Sequence, residues 1–308
     1  MLNTLDKLLP FKRNFLKLNG QQYHYVNEGE GEPVVMVHGN PSWSLYYRNV
    51  VKSLSATHQC IVPDHIGCGL SDKPDDADYE YTLKSRIDDL EALLEHLNVK
   101  ENITLVVHDW GGMIGMGYAS RYPERIKKLV ILNTGAFHLP KNKMFPWPLW
   151  ICRNSMLGTI LVRGFNAFSS IASYVGVKRN AMDKDLRTAY VAPFNTWKNR
   201  ISTLRFVQDI PLKPHDKSYD LVTNIGESLE KFSDTPMLIC WGLKDFVFDK
   251  HFLAEWQQRF PNADVHSFDD CGHYILEDAS EEVVPLITAF ITDSSTGPLT
   301  DSEMQSKG

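Results

Sequence analysis

Cysteine is scarce in this sequence of 308 residues, and no two cysteines have the C-x-x-C spacing of a zinc or thiol-redox site. The five cysteines are scattered along the chain: Cys60, Cys68, Cys152, Cys240 and Cys271. Their odd number does not suit a disulfide framework, so we expect reduced thiols in a cytoplasmic protein. The N-terminal stretch agrees with this, because Asp6, Lys7 and Pro10 interrupt any apolar region of a signal peptide.

Long apolar runs, internal repeats and a surplus of basic residues are absent as well. No stretch approaches about 18 uncharged apolar residues, so no membrane span is expected. The formal net charge is −6 and the pI is about 6.0, which gives no reason to expect a nucleic-acid partner. The sequence shows neither a cluster of metal ligands nor a dinucleotide motif, and we expect no metal or cofactor.

Short apolar runs alternate with helical patterns along most of the chain. Strands are predicted at residues 33–39, 59–64, 103–109, 128–134, 236–242 and 263–270. The middle runs are almost continuously hydrophobic, which is typical of strands buried on both faces of a parallel sheet. Helices are predicted at residues 84–97, 111–123 and 281–291. The alternation predicts an α/β fold with a doubly wound, mostly parallel sheet.

The alternation stops between about residues 135 and 235. That region is rich in aromatic residues and proline and contains no convincing strand. We predict a helical cap there, lying over the carboxyl ends of the strands, where open α/β sheets bind their ligands. The predicted division of the chain is a first core segment at residues 1–134, a cap at 135–235, a second core segment at 236–293 and a disordered polar tail at 294–308.

The strongest catalytic signal is VVHDWGG at residues 106–112. An apolar strand leads into Asp109, and then Trp110 and two glycines open a helix, which is the layout of a nucleophile elbow. The generic signature G-x-S-x-G is half met, because Val107 replaces the first glycine and Asp109 replaces the serine. A helix N-terminus favours an anion, which is expected to keep this carboxylate ionised for attack. The alternative is that Asp109 only caps the helix.

An acid and a histidine should follow the nucleophile in the chain. One predicted strand leads into a turn that carries Asp245, and His273 follows the last predicted strand. Three such residues in this order, at the ends of three strands, predict a catalytic triad of Asp109, His273 and Asp245. Asp249, in the same turn, is the alternative acid, because the strand before the cap ends with Asn133 and offers no carboxylate.

The loop HGNPSWS after the first predicted strand is expected to stabilise negative charge. The backbone N–H of Asn40 would join that of Trp110 in donating to a developing oxyanion. The side-chain amide of Asn40 and the indole N–H of Trp110 are candidates for holding a leaving anion. Asp64 also ends a strand, and we interpret it as a loop-shaping residue. His38 and His108 are expected to satisfy loop hydrogen bonds.

These motifs resemble those of the haloalkane dehalogenase group of the α/β-hydrolase fold. The matching segments cover almost the whole folded chain: HGNPSWSLYYR, PDHIGCGLSDKP, VVHDWGGMIG, WGLKDFVFD and DCGHYILEDA. The resemblance implies a nucleophile after the fifth strand, at Asp109, and a helical cap inserted after the sixth. It further implies that Asn40 and Trp110 hold the leaving group. By the same resemblance His273 activates water and Asp245, after the seventh strand, is its acid.

The cap is similar to a narrower group. FNAFSSIASYVGVKR (165–179) and AYVAPFNTWKNRISTLRFVQDIPL (189–212) resemble the β-lactone decarboxylases of bacterial long-chain olefin biosynthesis. This resemblance implies conversion of a cis-3,4-dialkyl oxetan-2-one to a cis-alkene and CO2. It also implies a hydrophobic substrate with long alkyl chains and a complex with other enzymes of that pathway.

Three other functions stay open at this point. A haloalkane dehalogenase would use the same fold and triad. An epoxide hydrolase would need two cap tyrosines as ring-opening acids, for which Tyr174 and Tyr190 are candidates. A non-catalytic ligand receptor would have little need for all three triad residues.

Overall fold

One sheet of eight strands forms the centre of the structure, a computed structural model that describes residues 2–293. The strands are β1 Asn14–Leu18, β2 Gln21–Glu28, β3 Pro33–Val37, β4 Gln59–Pro63, β5 Ile103–Asp109, β6 Ile126–Thr134, β7 Met237–Gly242 and β8 Asp264–Phe268. Their order across the sheet is β1-β2-β4-β3-β5-β6-β7-β8. The first two strands pair antiparallel, and β3 to β8 are parallel. The predicted mostly parallel sheet is confirmed, whereas β1 and β2 are additional to the predicted strands. The predicted tail 294–308 lies outside the described residues.

The described residues contain α-helices, and most of the parallel strands are followed by one of them. The helices are α1 Leu2–Leu8, α2 Arg48–Leu54, α3 Leu83–His96, α4 Trp110–Arg121, α5 Trp147–Asn154, α6 Met156–Thr159, α7 Ala167–Val175, α8 Lys184–Val191, α9 Ile201–Gln208, α10 Tyr219–Ser228, α11 Lys250–Arg259, α12 Ile275–Asp278 and α13 Ser280–Thr292. A π-helical turn spans Ile160–Gly164, and 3-10 turns span Ser44–Tyr47, Pro123–Arg125, Ala192–Phe194, Lys198–Arg200 and Leu229–Phe232. Within residues 2–293, no helix is both long and apolar enough to cross a bilayer.

Two apolar layers cover the two faces of the sheet. In β5, Leu105 and Val107 belong to the cluster on one face, whereas Val106 belongs to the cluster on the other. This division follows from the alternation of side chains along a strand. All seven residues of β5 are buried, which explains why the sequence of this strand is almost continuously hydrophobic.

The segment between β6 and β7 is helical. Helices α5 to α10 lie there, and the described residues of this segment contain no strand. The last of them, α10, packs against α4. Its Val222 and Ile225 belong to the same core cluster as the buried side chains of α4, on one face of the sheet. This helix therefore covers the sheet, although it falls inside the predicted cap. The division of the chain at residues 134 and 235 stays a prediction.

Candidate active site

Asp109 occupies a sharp turn between β5 and α4. Its backbone has φ 52° and ψ −128°, a conformation that residues other than glycine rarely adopt. The turn requires a glycine after Trp110, because a Cβ atom on Gly111 would lie 1.9 Å from the carbonyl oxygen of Val37. The hydroxyl of Thr134, at the end of β6, donates a hydrogen bond to the carbonyl of Asp109. This geometry is that of a nucleophile elbow, with the side chain presented at the start of a helix.

The structure brings the three predicted triad residues together. Nδ1 of His273 lies 2.7 Å from Oδ2 of Asp245, and its Nε2 lies 3.6 Å from Oδ2 of Asp109. All three side chains are buried. They come from the ends of β5, β7 and β8, so one edge of the parallel sheet positions the whole set.

Four donors hold the carboxylate of Asp245 in place. Besides His273, the backbone N–H groups of Val247 and Phe248 donate to its Oδ1 at 2.8 and 3.2 Å. The side-chain amide of Asn133 donates to Oδ2 at 3.2 Å. The alternative acid has another role, since Asp249 caps α11 and lies 2.8 Å from Nζ of Lys143. The geometry therefore places Asp245, and not Asp249, against the histidine.

Burial and the charges of neighbouring groups shift the pKa values of Asp109 and His273. Burial raises the pKa of the Asp109 carboxyl, while the charge of His273 and the N–H groups of Asn40 and Trp110 oppose that shift. The helix N-terminus thus acts on this pKa through the N–H of Trp110, as one of several opposing influences, and the ionisation of Asp109 stays a prediction. Burial by itself would lower the pKa of His273, but the charge and hydrogen bond of Asp245, with the charge of Asp109, raise it above its usual value. The imidazole thus favours its charged form between two carboxylates.

Backbone donors face the nucleophile as the sequence predicts. The N–H of Asn40 donates to Oδ1 of Asp109 at 2.6 Å, and the backbone N–H of Trp110 is close enough to the same carboxylate to lower its pKa. The loop approaches so closely that a Cβ atom on Gly39 would lie 2.0 Å from Oδ1 of Asp109. One N–H of the Asn40 side chain donates to the carbonyl of Thr203 at 3.2 Å. Because a primary amide has two N–H groups, the second remains for a ligand in the cavity that Asn40 lines.

An aromatic ring packs against Trp110, and a buried cation packs against that ring. The ring centroid of Trp110 lies 5.3 Å from that of Phe206 in α9. The guanidinium of Arg86, which is fully buried, lies 3.7 Å from the centroid of Phe206. These contacts support the indole, which lines the cavity.

A cavity of about 370 Å³ lies directly above Asp109, between the sheet and the helices of the cap. Its walls are almost entirely apolar and include Met113, Phe168 and Phe252. The nitrogen- and oxygen-bearing side chains that line it are Asn40, Asp109, Trp110, His138, Trp147 and His273. A large apolar chamber with a few convergent polar groups at one end suits a substrate with a small reactive centre and alkyl substituents.

The remaining predicted residues lie outside the reactive centre. Asp64 accepts hydrogen bonds from His24 and from the backbone of Ser44 and Leu70, which confirms that it shapes its loop. His38 and His108 bond to the carbonyls of Gly39 and His273, as expected. Within the described chain, no group of three or more His, Cys, Asp or Glu residues is placed to hold a metal ion.

The two tyrosines considered as ring-opening acids do not line the cavity. Tyr174 is 61% exposed, and Tyr190 is buried with its hydroxyl donating to Glu277. Among the residues that the structure describes, no tyrosine contributes to the cavity wall. An epoxide-opening site of the kind considered from the sequence is therefore not formed.

Sequence reasoning missed several residues that support the site. These are Asn133 beside Asp245, Thr203 beside Asn40, Phe206 beneath Trp110, and Phe248, whose ring stacks on that of His273 at 6.0 Å. The role of Asn133 could have been found, because it lies near the end of a predicted strand next to the strand that leads to Asp245. Phe248 lies in the same turn as Asp245, whereas no local signal marks Thr203 and Phe206, which meet the site only through the folding of a distant segment.

Comparison with known proteins identifies a family and individual proteins to which this chain is similar. The chain matches the sequence profile of a family described as alpha/beta hydrolase fold over residues 32–280. It is 75% identical to the cis-3-alkyl-4-alkyloxetan-2-one decarboxylase of Shewanella oneidensis, over 95% of this chain and 92% of that protein. The protein of the same name from Xanthomonas campestris pv. campestris is 54% identical, over 87% of this chain and 91% of its own.

More distant relatives carry another name. Haloalkane dehalogenase 2 of Mycobacterium bovis is 26% identical over 91% of this chain and 95% of its own length. Among solved structures, a haloalkane dehalogenase from Agrobacterium tumefaciens C58 is similar with a TM-score of 0.82 and 25% identity. That similarity covers 91% of this chain and 96% of the other.

Proposed function

The chain belongs to the α/β-hydrolase family and, within it, to the group of the cis-3-alkyl-4-alkyloxetan-2-one decarboxylases, and from that premise we propose its reaction. It is a carboxy-lyase that converts cis-3,4-dialkyl oxetan-2-ones to cis-alkenes and CO2. Asp109 is the nucleophile, His273 and Asp245 complete the triad, and Asn40 and Trp110 stabilise the departing carboxylate.

The observation that carries this proposal is the extent of the identity. At 75% over 95% of the chain, the similarity includes the cap, where it confirms the resemblance noted in residues 165–179 and 189–212. The cap supplies most of the walls of the cavity, and those walls select the substrate. The apolar chamber above a carboxylate supports the same assignment, because polar groups of Asn40 and His273 contact Asp109 while most of the remaining wall is apolar.

In the first step that we propose, the carboxylate of Asp109 attacks C4, the ring carbon bonded to the ring oxygen. A new C–O bond forms to Asp109, and the bond between C4 and the ring oxygen breaks. Its electron pair stays on the released carboxylate, and the configuration at C4 inverts. The side-chain N–H groups of Asn40 and Trp110 lie next to the nucleophile and can donate to the new anion.

A fragmentation completes the reaction. The bond between C3 and the carboxylate breaks, its electron pair forms the alkene, and CO2 departs. The ester bond to Asp109 breaks in the same step and returns its electron pair to the carboxylate. Inversion at C4 places the two leaving groups on opposite sides of the C3–C4 bond, so an anti elimination gives the cis-alkene from the cis-lactone. Neither water nor a proton is consumed.

His273 acts in this scheme as a fixed positive charge. The carboxylates of Asp245 and Asp109 raise its pKa and so favour the protonated imidazole between them. The charged ring stabilises the free carboxylate of Asp109 before attack and again after fragmentation. In a dehalogenase the corresponding residue has to take a proton from water instead, so the protonation state of His273 separates the two reactions.

Gas chromatography of a synthetic cis-lactone incubated with the purified protein tests the reaction directly. We expect cis-alkene well above a no-enzyme control, which is needed because such lactones also decarboxylate thermally. Alkene equal to the control, together with rapid halide release from haloalkanes, would reject the proposal in favour of dehalogenation.

An isotope experiment separates fragmentation from hydrolysis. Turnover in H2¹⁸O followed by mass spectrometry of the peptide containing Asp109 should show no label with the lactone. Hydrolysis of an ester at Asp109 would place ¹⁸O in its carboxylate, and the haloalkane dehalogenase relatives make this the second candidate. Labelled Asp109 during lactone turnover would contradict the fragmentation route. The variant His273→Phe incubated with 1,2-dibromoethane should trap an alkyl ester only if the site dehalogenates.

The rest of the proposal concerns the setting of the enzyme. We propose a cytoplasmic protein that receives its lactone from an acyl-activating synthetase of olefin biosynthesis, in a complex with the enzymes of that pathway. The five free thiols suit a reducing compartment. Affinity purification of the tagged chain from its own cells should recover the synthetase, whereas recovery of the chain from the culture medium alone would contradict this setting.

A further inference from the structure

Large apolar side chains crowd one exposed surface of the cap. Of the twelve exposed large hydrophobic residues among the described side chains, ten lie within residues 144–197. These ten, with Phe246 from the loop after β7, are called here the apolar face. Met156 is 84% exposed, and Trp147 and Phe165 are each 74% exposed. Exposed hydrophobic residues scattered singly are normal, but such a concentration marks a binding surface.

The helices that carry the apolar face form one continuous patch of structure. Helices α5, α6, the turn Ile160–Gly164 and α7 pack against one another in sequence. Trp197 reaches the same patch from another segment, because a Cβ atom on Gly164 would lie 3.7 Å from its ring and 3.8 Å from Ile160. The elements that carry these exposed side chains are therefore neighbours in the fold.

The cavity above Asp109 opens within this face. Trp147, Ile171 and Phe246 are 74%, 56% and 46% exposed, and all three also line the cavity. They form a rim at the mouth of the cavity. Because this rim belongs to the apolar face, whatever covers the face also covers the mouth of the cavity.

The cap also carries a strong positive charge. Residues 141–205 contain eleven Lys and Arg against two Asp, a net charge of +9, so the remainder of the chain carries −15 within a total of −6. Four of these cations pair with carboxylates, namely Lys143, Arg153, Arg179 and Arg205. Within the described chain, no carboxylate forms a salt bridge with the other seven.

Some of these cations lie directly beside exposed aromatic rings. The guanidinium of Arg163 lies 4.8 Å from the ring of Trp197, and that of Arg187 lies 3.9 Å from the ring of Tyr174. Lys198 is exposed next to Trp197. Aromatic rings bordered by Lys and Arg are typical of protein surfaces that insert shallowly into a lipid headgroup region.

We propose that the apolar face docks on the surface of a bilayer that contains anionic phospholipid, with the rim of the cavity against the lipid. The charge separation favours this occupant, because the cap is attracted to an anionic surface while the rest of the chain is repelled from it. A second copy of the chain is a poorer occupant, since two segments 141–205, each of charge +9, would face each other.

Docking would also explain how a poorly water-soluble substrate reaches the cavity, a point that rests on the proposed function. A lactone with two long alkyl chains partitions into lipid, because each methylene favours the apolar phase by about 0.8 kcal/mol. Its concentration in water is then negligible. An enzyme whose cavity opens onto the bilayer takes the substrate from lipid without its passage through water.

Vesicle co-sedimentation of the full chain, without any substrate, tests the docking. Vesicles of phosphatidylcholine with 30% phosphatidylglycerol should bind at least tenfold more tightly than vesicles of phosphatidylcholine alone. Sodium chloride at 0.5 M should remove most of that difference, because it screens the attraction. No binding to either vesicle, or equal and salt-independent binding to both, overturns the proposal.

Variants identify the docking surface. Lys198→Gln should weaken binding to the anionic vesicles about fivefold. The control Lys52→Gln removes one exposed charge from α2 outside the cap and should leave binding unchanged. The double variant Met156→Ser, Phe165→Ser should weaken binding at least tenfold, and neither residue lines the cavity. Equal losses in the Lys198 and Lys52 variants would refute the assignment to this face.

Two further measurements separate the possible failures. Turnover of a short-chain, water-soluble lactone without vesicles should be the same in the double variant as in the parent chain, whereas turnover of a long-chain lactone embedded in vesicles should fall at least fivefold. Vesicle binding without lactone turnover would reject the proposed reaction and keep the docking. Self-association of the parent chain that the double variant abolishes, without vesicle binding, would assign the face to a second copy and reject the bilayer.

Discussion

The variant Asp245→Asn tests how the triad controls charge. The substitution keeps the shape of the side chain, and its remaining oxygen can still accept from the backbone N–H groups of Val247 and Phe248. The new amide, however, replaces the oxygen that lies 2.7 Å from Nδ1 of His273. It donates where the carboxylate accepted, so the imidazole loses both its negative neighbour and the partner that fixes its orientation.

The expected loss of kcat/KM at neutral pH is up to about 10⁴-fold, the order of loss found in kcat when a triad acid becomes its amide. The pH dependence should change as well. The charge of Asp245 raises the pKa of His273, so activity that depends on the protonated ring is complete below that pKa and lost as the pH rises through it. Burial lowers the pKa of the ring and remains in the variant. The alkaline limb of the profile should therefore move to lower pH.

Asp249→Asn is the matched control, four residues away in the same turn. Asparagine also caps helices well, so α11 should persist, and the lost ion pair with Lys143 should cost about 1 kcal/mol or less. Both variants are measured with a short-chain lactone from pH 5 to 9, with circular dichroism as the check on folding. Full activity and an unchanged pH profile in Asp245→Asn would refute the role given to this carboxylate, most clearly if Asp249→Asn showed the shift instead.

Three other outcomes follow from the geometry. Asp109→Ala should fold, as a thermal melt will show, and should turn over lactone at less than about a hundredth of the parent rate; a higher rate would contradict its role as nucleophile. Gly111→Ala should lower the free energy of unfolding in urea by about 1–3 kcal/mol, because its Cβ would lie 1.9 Å from the carbonyl of Val37. Gly164→Ala, with its nearest neighbours 3.7 Å away, should change that free energy by less than about 1 kcal/mol, and equal effects would contradict the steric argument. Each methylene removed from a lactone chain should lower kcat/KM about fourfold, measured by gas chromatography of the alkene, unless the apolar cavity does not bind the chains.

The parallel strands could be predicted because burial on both faces leaves a simple signature. The sequence of β5 is hydrophobic throughout, and its seven residues are all buried. The antiparallel pair β1 and β2 lacks this signature, since β1 is only partly buried along its length. A signal was nevertheless present, because Asn19 and Gly20 join the two strands with φ of 48° and 89°. An Asn-Gly pair between two short runs is typical of a tight hairpin turn.

The candidate site could be predicted as far as chain order and strand ends define it. Asp109, Asp245 and His273 each follow a strand of one parallel sheet, and the carboxyl ends of such strands meet at one edge. The supporting contacts could not be predicted, because they join distant segments. Asn40 and Thr203 are 163 residues apart in sequence, and only the packing of α9 against the loop that carries Asn40 brings them together.

A net charge of −6 describes this molecule poorly, because charges of +9 and −15 reside in different regions of the chain. Such a separation gives the protein a large electric dipole, which turns it in the field of any charged surface that it approaches. An ion-exchange matrix binds a protein through the charges on one side of its surface. A chain with a pI of about 6.0 should therefore bind a cation exchanger or heparin at pH 7, through its cap, as well as the anion exchanger that its net charge would select. Its behaviour during purification would thus report the orientation in which it meets a surface.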